Sequence, residues 1–172
     1  IEKIGDYAFQ HCKSLRVVPF PDDIEEIGDY CFAGCNFNYL YIPETLTVVG
    51  ERAFTECDSL TEVYIPSTLK FVPAGLFQDC DLITKVEFQS GVKKIGEGAF
   101  SGCFSINEVI FPDTISEIGS SAFKDCTSLE SIEIDAISIK GGAFQGCAGL
   151  KNVTIINGAE EIGDYAFSFC KK

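Results

Sequence analysis

A short motif, Phe-x-x-Cys, usually preceded by Ala, recurs along the whole chain at nearly constant spacing. Its Phe occupies eight positions that lie 21 to 23 residues apart: Phe9, Phe32, Phe54, Phe77, Phe100, Phe123, Phe144 and Phe167. Each Phe is followed three residues later by a Cys: Cys12, Cys35, Cys57, Cys80, Cys103, Cys126, Cys147 and Cys170. A fixed period of roughly 20–50 residues is typical of repeat proteins whose units stack on one another. The sequence therefore predicts a solenoid.

Each repeat contains segments that predict the parts of one coil. Residues 61–65 alternate between polar and apolar side chains, which predicts a short, half-buried β-strand. An apolar pair three residues apart, such as Ile24 and Ile27, predicts a second short strand or an extended segment. The Gly that follows, such as Gly28, is expected to permit a tight bend or a positive φ. The apolar spacing of three in Ala-Phe-x-x-Cys-x-x-Leu predicts a helical or 3-10 turn that faces the core.

Coils of equal length are expected to stack in register, with equivalent strands about 4.8 Å apart if they pair in parallel. The Phe side chains would then form an internal column with offset ring contacts. Residues 1–172 are predicted to form a single solenoid of about eight coils, each 21 to 23 residues long. Both ends of the sequence interrupt a repeat, and neither has the polar character of a capping repeat. This pattern predicts a fragment of a larger protein.

Three repeats depart from the common pattern. The second repeat is one residue shorter between Cys35 and Pro43. The fourth repeat has Pro73 where Gly is expected, and the seventh lacks two residues around positions 136–139 and has Lys140 at the Gly position. We expect local distortion of the coil at these places.

The repeat pattern resembles a known family. The string Ile-Gly-x-x-Ala-Phe-x-x-Cys-x-x-Leu at residues 118–129, followed by Ile132 and Ile134, resembles the BspA-like (treponemal type) leucine-rich repeat. The resemblance extends over the whole chain. It implies an α/β solenoid, a right-handed superhelix with short parallel strands on its concave face and helical or 3-10 turns plus extended segments elsewhere.

The resemblance also implies a range of functions. Members of this family are typically surface or secreted proteins of bacteria that live on animal hosts, and of some parasitic protists. They are linked to adhesion and to host-protein binding. Because the repeat motif is structural, it transfers no functional residue to this sequence.

The charge balance narrows the choice of partners. The chain has 26 acidic and 13 basic residues and a net charge of −13. This excess of negative charge opposes binding to nucleic acid, because phosphates favour a basic stripe on the protein. It also opposes binding to an anionic membrane surface. No apolar run approaches the roughly 18 residues of a membrane span. The expected partner is another protein with basic character.

The nine cysteines are not expected to form disulfides or a metal site. Eight of them occupy one repeat position, which predicts a buried column of small apolar side chains. Parallel stacking would leave their Cβ atoms about 4.8 Å apart, whereas a disulfide favours roughly 3.8 Å. Only Cys31 and Cys35 come close to the spacing of a metal-binding pair. We predict no metal and no cofactor.

The sequence offers no convincing catalytic residues. His11, the only histidine, adjoins Cys12, but a buried thiol in the column would not serve as a nucleophile. The adjacent acids at residues 25–26 and 160–161 are more typical of a solvated face than of a glycosidase pair. The sequence contains neither of the glycine-rich phosphate-binding motifs, G-x-x-x-x-G-K-S/T and G-x-G-x-x-G. The chain is not expected to be an enzyme.

The candidate site lies on the outward-facing positions of the predicted strands. Its predicted protein-binding residues are Tyr39, Tyr41, Glu62, Tyr64, Lys85, Glu87, Glu108 and Ile110. The three tyrosines fall on two adjacent strands. Exposed tyrosines are enriched at binding hot spots, but ring packing across strands that only stabilises the sheet would use the same residues. The face is also predominantly acidic.

These observations favour a protein-binding module. We expect a monomeric host-interaction or adhesion segment of a cell-surface or secreted protein, whose partner could be a host extracellular-matrix or plasma protein. One alternative is a rigid spacer or stalk without a ligand of its own. Another is an intracellular scaffold, because nine reduced thiols suit the cytoplasm.

Overall fold

A computed structural model describes residues 1–170. It is a β-solenoid in which all strand pairs are parallel. None of the described residues forms a helix, and hence none forms one able to cross a bilayer. The strands of residues 1–170 are β1 (Lys3–Ile4), β2 (Glu26–Ile27), β3 (Val48–Val49), β4 (Glu62–Ile65), β5 (Phe71–Val72), β6 (Lys85–Phe88), β7 (Lys94–Ile95), β8 (Glu108–Ile110), β9 (Glu117–Ile118), β10 (Ser131–Ile134), β11 (Ser138–Ile139), β12 (Asn152–Ile155) and β13 (Glu161–Ile162).

The strands form two ladders on different sides of the coil. The short strands form one ladder, in the orders β1-β2-β3 and β5-β7-β9-β11-β13. The longer strands form the other, in the orders β4-β6-β8 and β10-β12. We call the outer surface of the longer strands the long-strand face. The second apolar segment of each repeat is thus a short strand. This confirms the first of the two predictions for it, a short strand or an extended segment.

Pro73 explains the break in the short-strand ladder. In the regular coils the residue at this position donates its backbone N–H to the preceding coil, as Gly96 N does to Val72 O at 2.8 Å. Proline has no N–H, so this hydrogen bond cannot form in the fourth coil. The ladder is interrupted there, between β3 and β5. Lys140, the other departure at this position, keeps its N–H and donates to the sixth coil at 2.9 Å.

The prediction of helical or 3-10 turns around the Phe is wrong. In every coil the residues two before and two after the Phe have positive φ, for example Gly75 at 61° and Asp79 at 56°. A right-handed helix requires negative φ at each residue and therefore cannot continue through them. The N–H of Phe77 instead donates to Ala99 O of the next coil at 2.8 Å. The apolar spacing of three reflects successive turns, which place the same side chains inward.

The Phe side chains form the expected internal column. Their rings stack in seven successive pairs, with centroids 5.2 to 5.6 Å apart and interplanar angles of at most 16°. These steps correspond to about seven turns of the solenoid. Six of the eight rings, from Phe32 to Phe144, are fully buried. Leucine, isoleucine and valine side chains of both ladders complete one continuous core.

The Gly that recurs at this position in most repeats does not have the positive φ that was one of its two predicted roles. Gly28, Gly96 and Gly119 do not have a positive φ. A Cβ atom on Gly96 would lie 2.6 Å from Val72 O and 2.8 Å from the backbone N of Ala74, both in the preceding coil. Gly96 therefore has no room for a Cβ atom, because two coils approach each other closely there. Gly5, in the first coil, has no atom within 4 Å of such a Cβ.

Candidate protein-binding face

Strand alternation sets which side chains reach the long-strand face. In β4 the side chains of Val63 and Ile65 are buried, while Glu62 and Tyr64 are exposed. The parallel register of β4, β6 and β8 repeats this arrangement across three coils. Six of the predicted site residues thereby form two rows, Glu62–Lys85–Glu108 and Tyr64–Glu87–Ile110.

Tyr39 and Tyr41 extend this surface by one coil. They belong to residues 38–42, which do not form the predicted strand, and their exposed fractions are 60% and 59%. Tyr64 of the next coil is 42% exposed. The three rings surround a cleft of about 250 Å³, which we call the tyrosine cleft. Its lining residues are Tyr39, Leu40, Tyr41, Ile42, Glu44, Tyr64, Pro66 and Gln89.

The three cleft tyrosines do not pack against one another. Tyr7 and Tyr30 show what ring packing looks like in this protein, with centroids 5.3 Å apart and planes at 9°. No such ring pair occurs among the cleft tyrosines within residues 1–170. The Tyr64 hydroxyl donates to Glu62 Oε2 at 2.8 Å. Cross-strand ring packing therefore does not account for these exposed rings.

The charges on the long-strand face are mostly acidic and partly paired. The ammonium group of Lys85 lies 3.4 Å from Glu87 and 3.9 Å from Glu108. Partial desolvation opposes the charged form of Lys85, but the two carboxylates outweigh it and raise the pKa of this lysine. The hydrogen bond to Glu62 raises the pKa of Tyr64, since the carboxylate favours the protonated phenol. Lys85 is thus paired with carboxylates of the same face.

The long-strand ladder is open beside two clefts. No backbone hydrogen bond joins residues 39–42 to β4 in the described chain, where the tyrosine cleft lies. β8 and β10 are also unpaired, beside a cleft of about 320 Å³ that includes Glu108, Ile110 and Glu133. The one-residue deletion in the second repeat was a sequence signal for the first opening. No sequence feature signalled the second.

On the side of the solenoid that contains the turns around each Phe, the backbone hydrogen bonds between coils are unbroken. Phe32 N donates to Ala53 O at 2.8 Å and Phe100 N to Ala122 O at 2.8 Å, and equivalent bonds join every pair of neighbouring coils. This side also has a polar groove of about 400 Å³, which the sequence did not predict. Arg52 borders it and places its guanidinium carbon 5.9 Å from the ring centroid of Tyr30. Gly75 leaves room beside Arg52, because a Cβ atom there would lie 2.6 Å from the Arg52 Cγ.

Among the cysteines, only Cys12 is exposed, and Cys170 is partly buried. All nine are free, and seven are buried. Burial raises the pKa of Cys31 and Cys35 to about 11 and that of Cys103 to about 12. Within residues 1–170, no group of three or more His, Cys, Asp or Glu side chains could hold a metal ion.

The fold and its repeat identify the family. A model of the BspA-type leucine-rich repeat region matches residues 1–84 and 71–172, in six copies. The chain belongs to this family. The leucine-rich repeat solenoid is typically a non-catalytic binding scaffold. The chain has no significant sequence match among curated proteins.

Solved bacterial structures share the BspA-type solenoid. A leucine-rich repeat protein from Bacteroides ovatus is 24% identical with a TM-score of 0.66, over 99% of this chain and 62% of its own. A leucine-rich cell surface protein from Faecalibacterium prausnitzii is 26% identical with a TM-score of 0.67, over 99% and 55%. The leucine-rich repeat protein of T. pallidum is 26% identical with a TM-score of 0.61, over 99% and 71%. The chain thus spans less than two thirds of the first two proteins.

Proposed function

We propose that this BspA-type solenoid is a protein-binding module, and that it serves as a host-interaction or adhesion segment of a cell-surface or secreted protein. The observation that carries the proposal is the tyrosine cleft. Three exposed tyrosines surround it without packing on one another, and large aromatic side chains left exposed together are typical of binding hot spots.

The similar proteins support the cellular setting. The relative from Faecalibacterium prausnitzii is described as a cell surface protein and shares 26% identity with this chain. By this similarity we assign the present chain to the cell surface or to the secreted proteins. The concave placement of the long-strand face is part of the same proposal, because a concave surface would bring side chains of several coils against one partner.

The partner class follows from charge. The chain has a net charge of −13, and Lys85 is already paired with Glu87 and Glu108. The long-strand face would therefore attract a protein with basic character, such as a basic segment of a host extracellular-matrix or plasma protein. We propose that the module binds it as a monomer, through Tyr39, Tyr41, Glu62, Tyr64, Lys85, Glu87, Glu108 and Ile110.

A rigid spacer is the second candidate function. The seven-step column of Phe rings and the unbroken hydrogen bonds of the turn side favour it, because they join all coils into one stiff rod. An intracellular scaffold is supported only by the nine free thiols, which a reducing compartment would keep reduced.

A binding screen separates these functions. The chain would be tested against extracellular-matrix and plasma proteins beside a variant carrying Tyr39→Ser, Tyr41→Ser and Tyr64→Ser. A variant with Tyr165→Ser, an exposed tyrosine outside the cleft, is the matched control. Binding that is lost only in the triple variant supports the proposal. Equal binding by all three proteins would show that the tyrosine cleft is not the binding site. No binding to any protein in the screen would favour the spacer.

A further inference from the structure

We infer that the tyrosine cleft binds a proline-rich, extended peptide segment that carries a basic residue. This inference rests on the proposed function, since it names the partner chemistry of the same face. It depends on three observations: the coils beside the cleft cannot separate, the cleft surface is aromatic, and its acids have no ion-pair partner.

The partner cannot insert as an additional β-strand. An inserted strand would have to part the second and third coils at the open edge of β4. Those coils are joined on the turn side by Phe32 N to Ala53 O at 2.8 Å and Gly34 N to Thr55 O at 2.8 Å. The pairing of β2 with β3 joins them again on the short-strand side. A bound peptide must therefore lie over the tyrosine rings and not between the coils.

The cleft surface suits a peptide in the polyproline II conformation. Tyr39 and Tyr41 are exposed while Leu40 between them is buried, so both rings point away from the core on the same side. Two residues of extended chain span about 6.6 Å, and two residues of polyproline II span about 6.2 Å. Proline rings could thus pack against both tyrosines at nearly the same spacing. Aromatic-lined grooves recognise proline-rich segments in this way.

The hydrogen-bonding groups of the cleft fit the same ligand. The hydroxyls of Tyr39 and Tyr41 have no hydrogen-bond partner within residues 1–170. A polyproline II segment exposes its carbonyl oxygens and lacks N–H groups at its prolines. The tyrosine hydroxyls can donate to those carbonyl oxygens. No main-chain donor of the ligand is then left buried without an acceptor.

The acids beside the cleft favour a cationic side chain on the ligand. Glu44 lines the cleft and accepts only the Ser67 hydroxyl at 3.2 Å, while Glu62 accepts only the Tyr64 hydroxyl. Neither carboxylate forms an ion pair within the described residues. An arginine next to the prolines would pair with either carboxylate through a charge-assisted hydrogen bond.

The test uses the full chain and a synthetic ten-residue peptide of proline with two arginines. Tyrosine emission reports binding directly, because the chain has six tyrosines and no tryptophan. Two matched peptides replace the prolines by alanine or the arginines by glutamate. We expect measurable binding of the first peptide only. A Tyr41→Ala variant should bind it at least about tenfold more weakly, and Glu62→Gln more weakly in low salt.

Tyr165→Ala is the matched control variant, because Tyr165 is 72% exposed and lies outside the cleft. It should bind the peptide as tightly as the unmodified chain. Tyr41→Phe keeps the ring and should lose less affinity than Tyr41→Ala. Equal binding of the proline and alanine peptides, or equal loss in the Tyr41 and Tyr165 variants, would overturn the inference. The inference would also be overturned if the screen found a protein partner whose binding is lost in the triple tyrosine variant, but the proline peptide did not bind the chain. The proposed function would then still stand.

Discussion

The thiol of Cys103 donates a hydrogen bond to the backbone carbonyl oxygen of Phe77, one coil earlier, at 3.0 Å. No backbone N–H within residues 1–170 donates to that oxygen. A cysteine thiol is a weak donor, but it satisfies a buried carbonyl that would otherwise lack a partner. The same contact recurs at 3.0 to 3.5 Å in seven pairs: Cys35–Phe9, Cys57–Phe32, Cys80–Phe54, Cys103–Phe77, Cys126–Phe100, Cys147–Phe123 and Cys170–Phe144.

The first prediction concerns this hydrogen bond. Cys103→Ala removes the only donor to Phe77 O and leaves a small cavity in the core, so the free energy of unfolding should fall by about 1–2 kcal/mol. Chemical denaturation measures the change. Cys12→Ala is the matched control, because Cys12 occupies the same repeat position but is exposed. Equal effects of the two substitutions would show that the thiol contact does not stabilise the fold.

The second prediction concerns thiol reactivity. In the folded protein at pH 8, a thiol reagent that releases a coloured product should label Cys12 rapidly and Cys170, which is half-buried, more slowly. The seven buried cysteines should react only after unfolding in denaturant, because the protonated thiol is a poor nucleophile and the reagent cannot reach it. Rapid labelling of more than two cysteines in the folded state would contradict the described core.

The third prediction concerns alkaline pH. Burial raises the pKa of Cys103 from 9.0 to about 12. The unfolded chain therefore loses this proton at a lower pH than the folded chain does. The resulting stability is fully present below pH 9 and is lost as the pH rises from 9 toward 12. The denaturant midpoint should fall between pH 8 and pH 10.5, and it should fall less in Cys103→Ala; an identical fall in both proteins would exclude this thiol as a cause.

The fourth prediction concerns the close approach of neighbouring coils. Gly96→Ala places a methyl group 2.6 Å from Val72 O and 2.8 Å from Pro73 C, and backbone atoms cannot move aside as a flexible side chain can. We expect a loss of about 1–3 kcal/mol of unfolding free energy. Gly5→Ala, at the same repeat position without such a contact, should change stability by no more than about 0.5 kcal/mol. Thermal or chemical denaturation of the pair measures this difference.

The turn segments show why part of the fold could not be predicted from the sequence. Apolar residues three apart, such as Phe77 and Cys80, occur both on a helical turn and on successive β-turns. The choice depends on whether the backbone N–H groups bond within the segment or to the next coil. Here Phe77 N bonds to Ala99 O, 22 residues later, and Gly75 and Asp79 adopt positive φ. Asp79 has a side chain that only modestly tolerates this conformation, so local preference did not indicate it.

The candidate site was predictable in position but not in shape. The alternation of buried and exposed residues placed Glu62, Tyr64, Lys85 and Glu87 on the outer surface of the strands, where the structure has them. Residues 39–42 are not hydrogen-bonded to β4, and a cleft opens there. This opening depends on how two coils diverge on one side while remaining joined on the other. Apart from the one-residue deletion in the second repeat, such a difference between two sides of a coil has no local sequence signature.

The sequence by itself determined the repeat length, the inward positions and the column of Phe rings, because each repeated residue must pack against its own copies one coil away. Only the tertiary structure decided the left-handed turn conformations, the requirement for Gly at Gly96 and the opening of the tyrosine cleft. These features arise from backbone contacts between coils that lie about 22 residues apart in sequence. Their geometry depends on the neighbouring coil as much as on the residue itself.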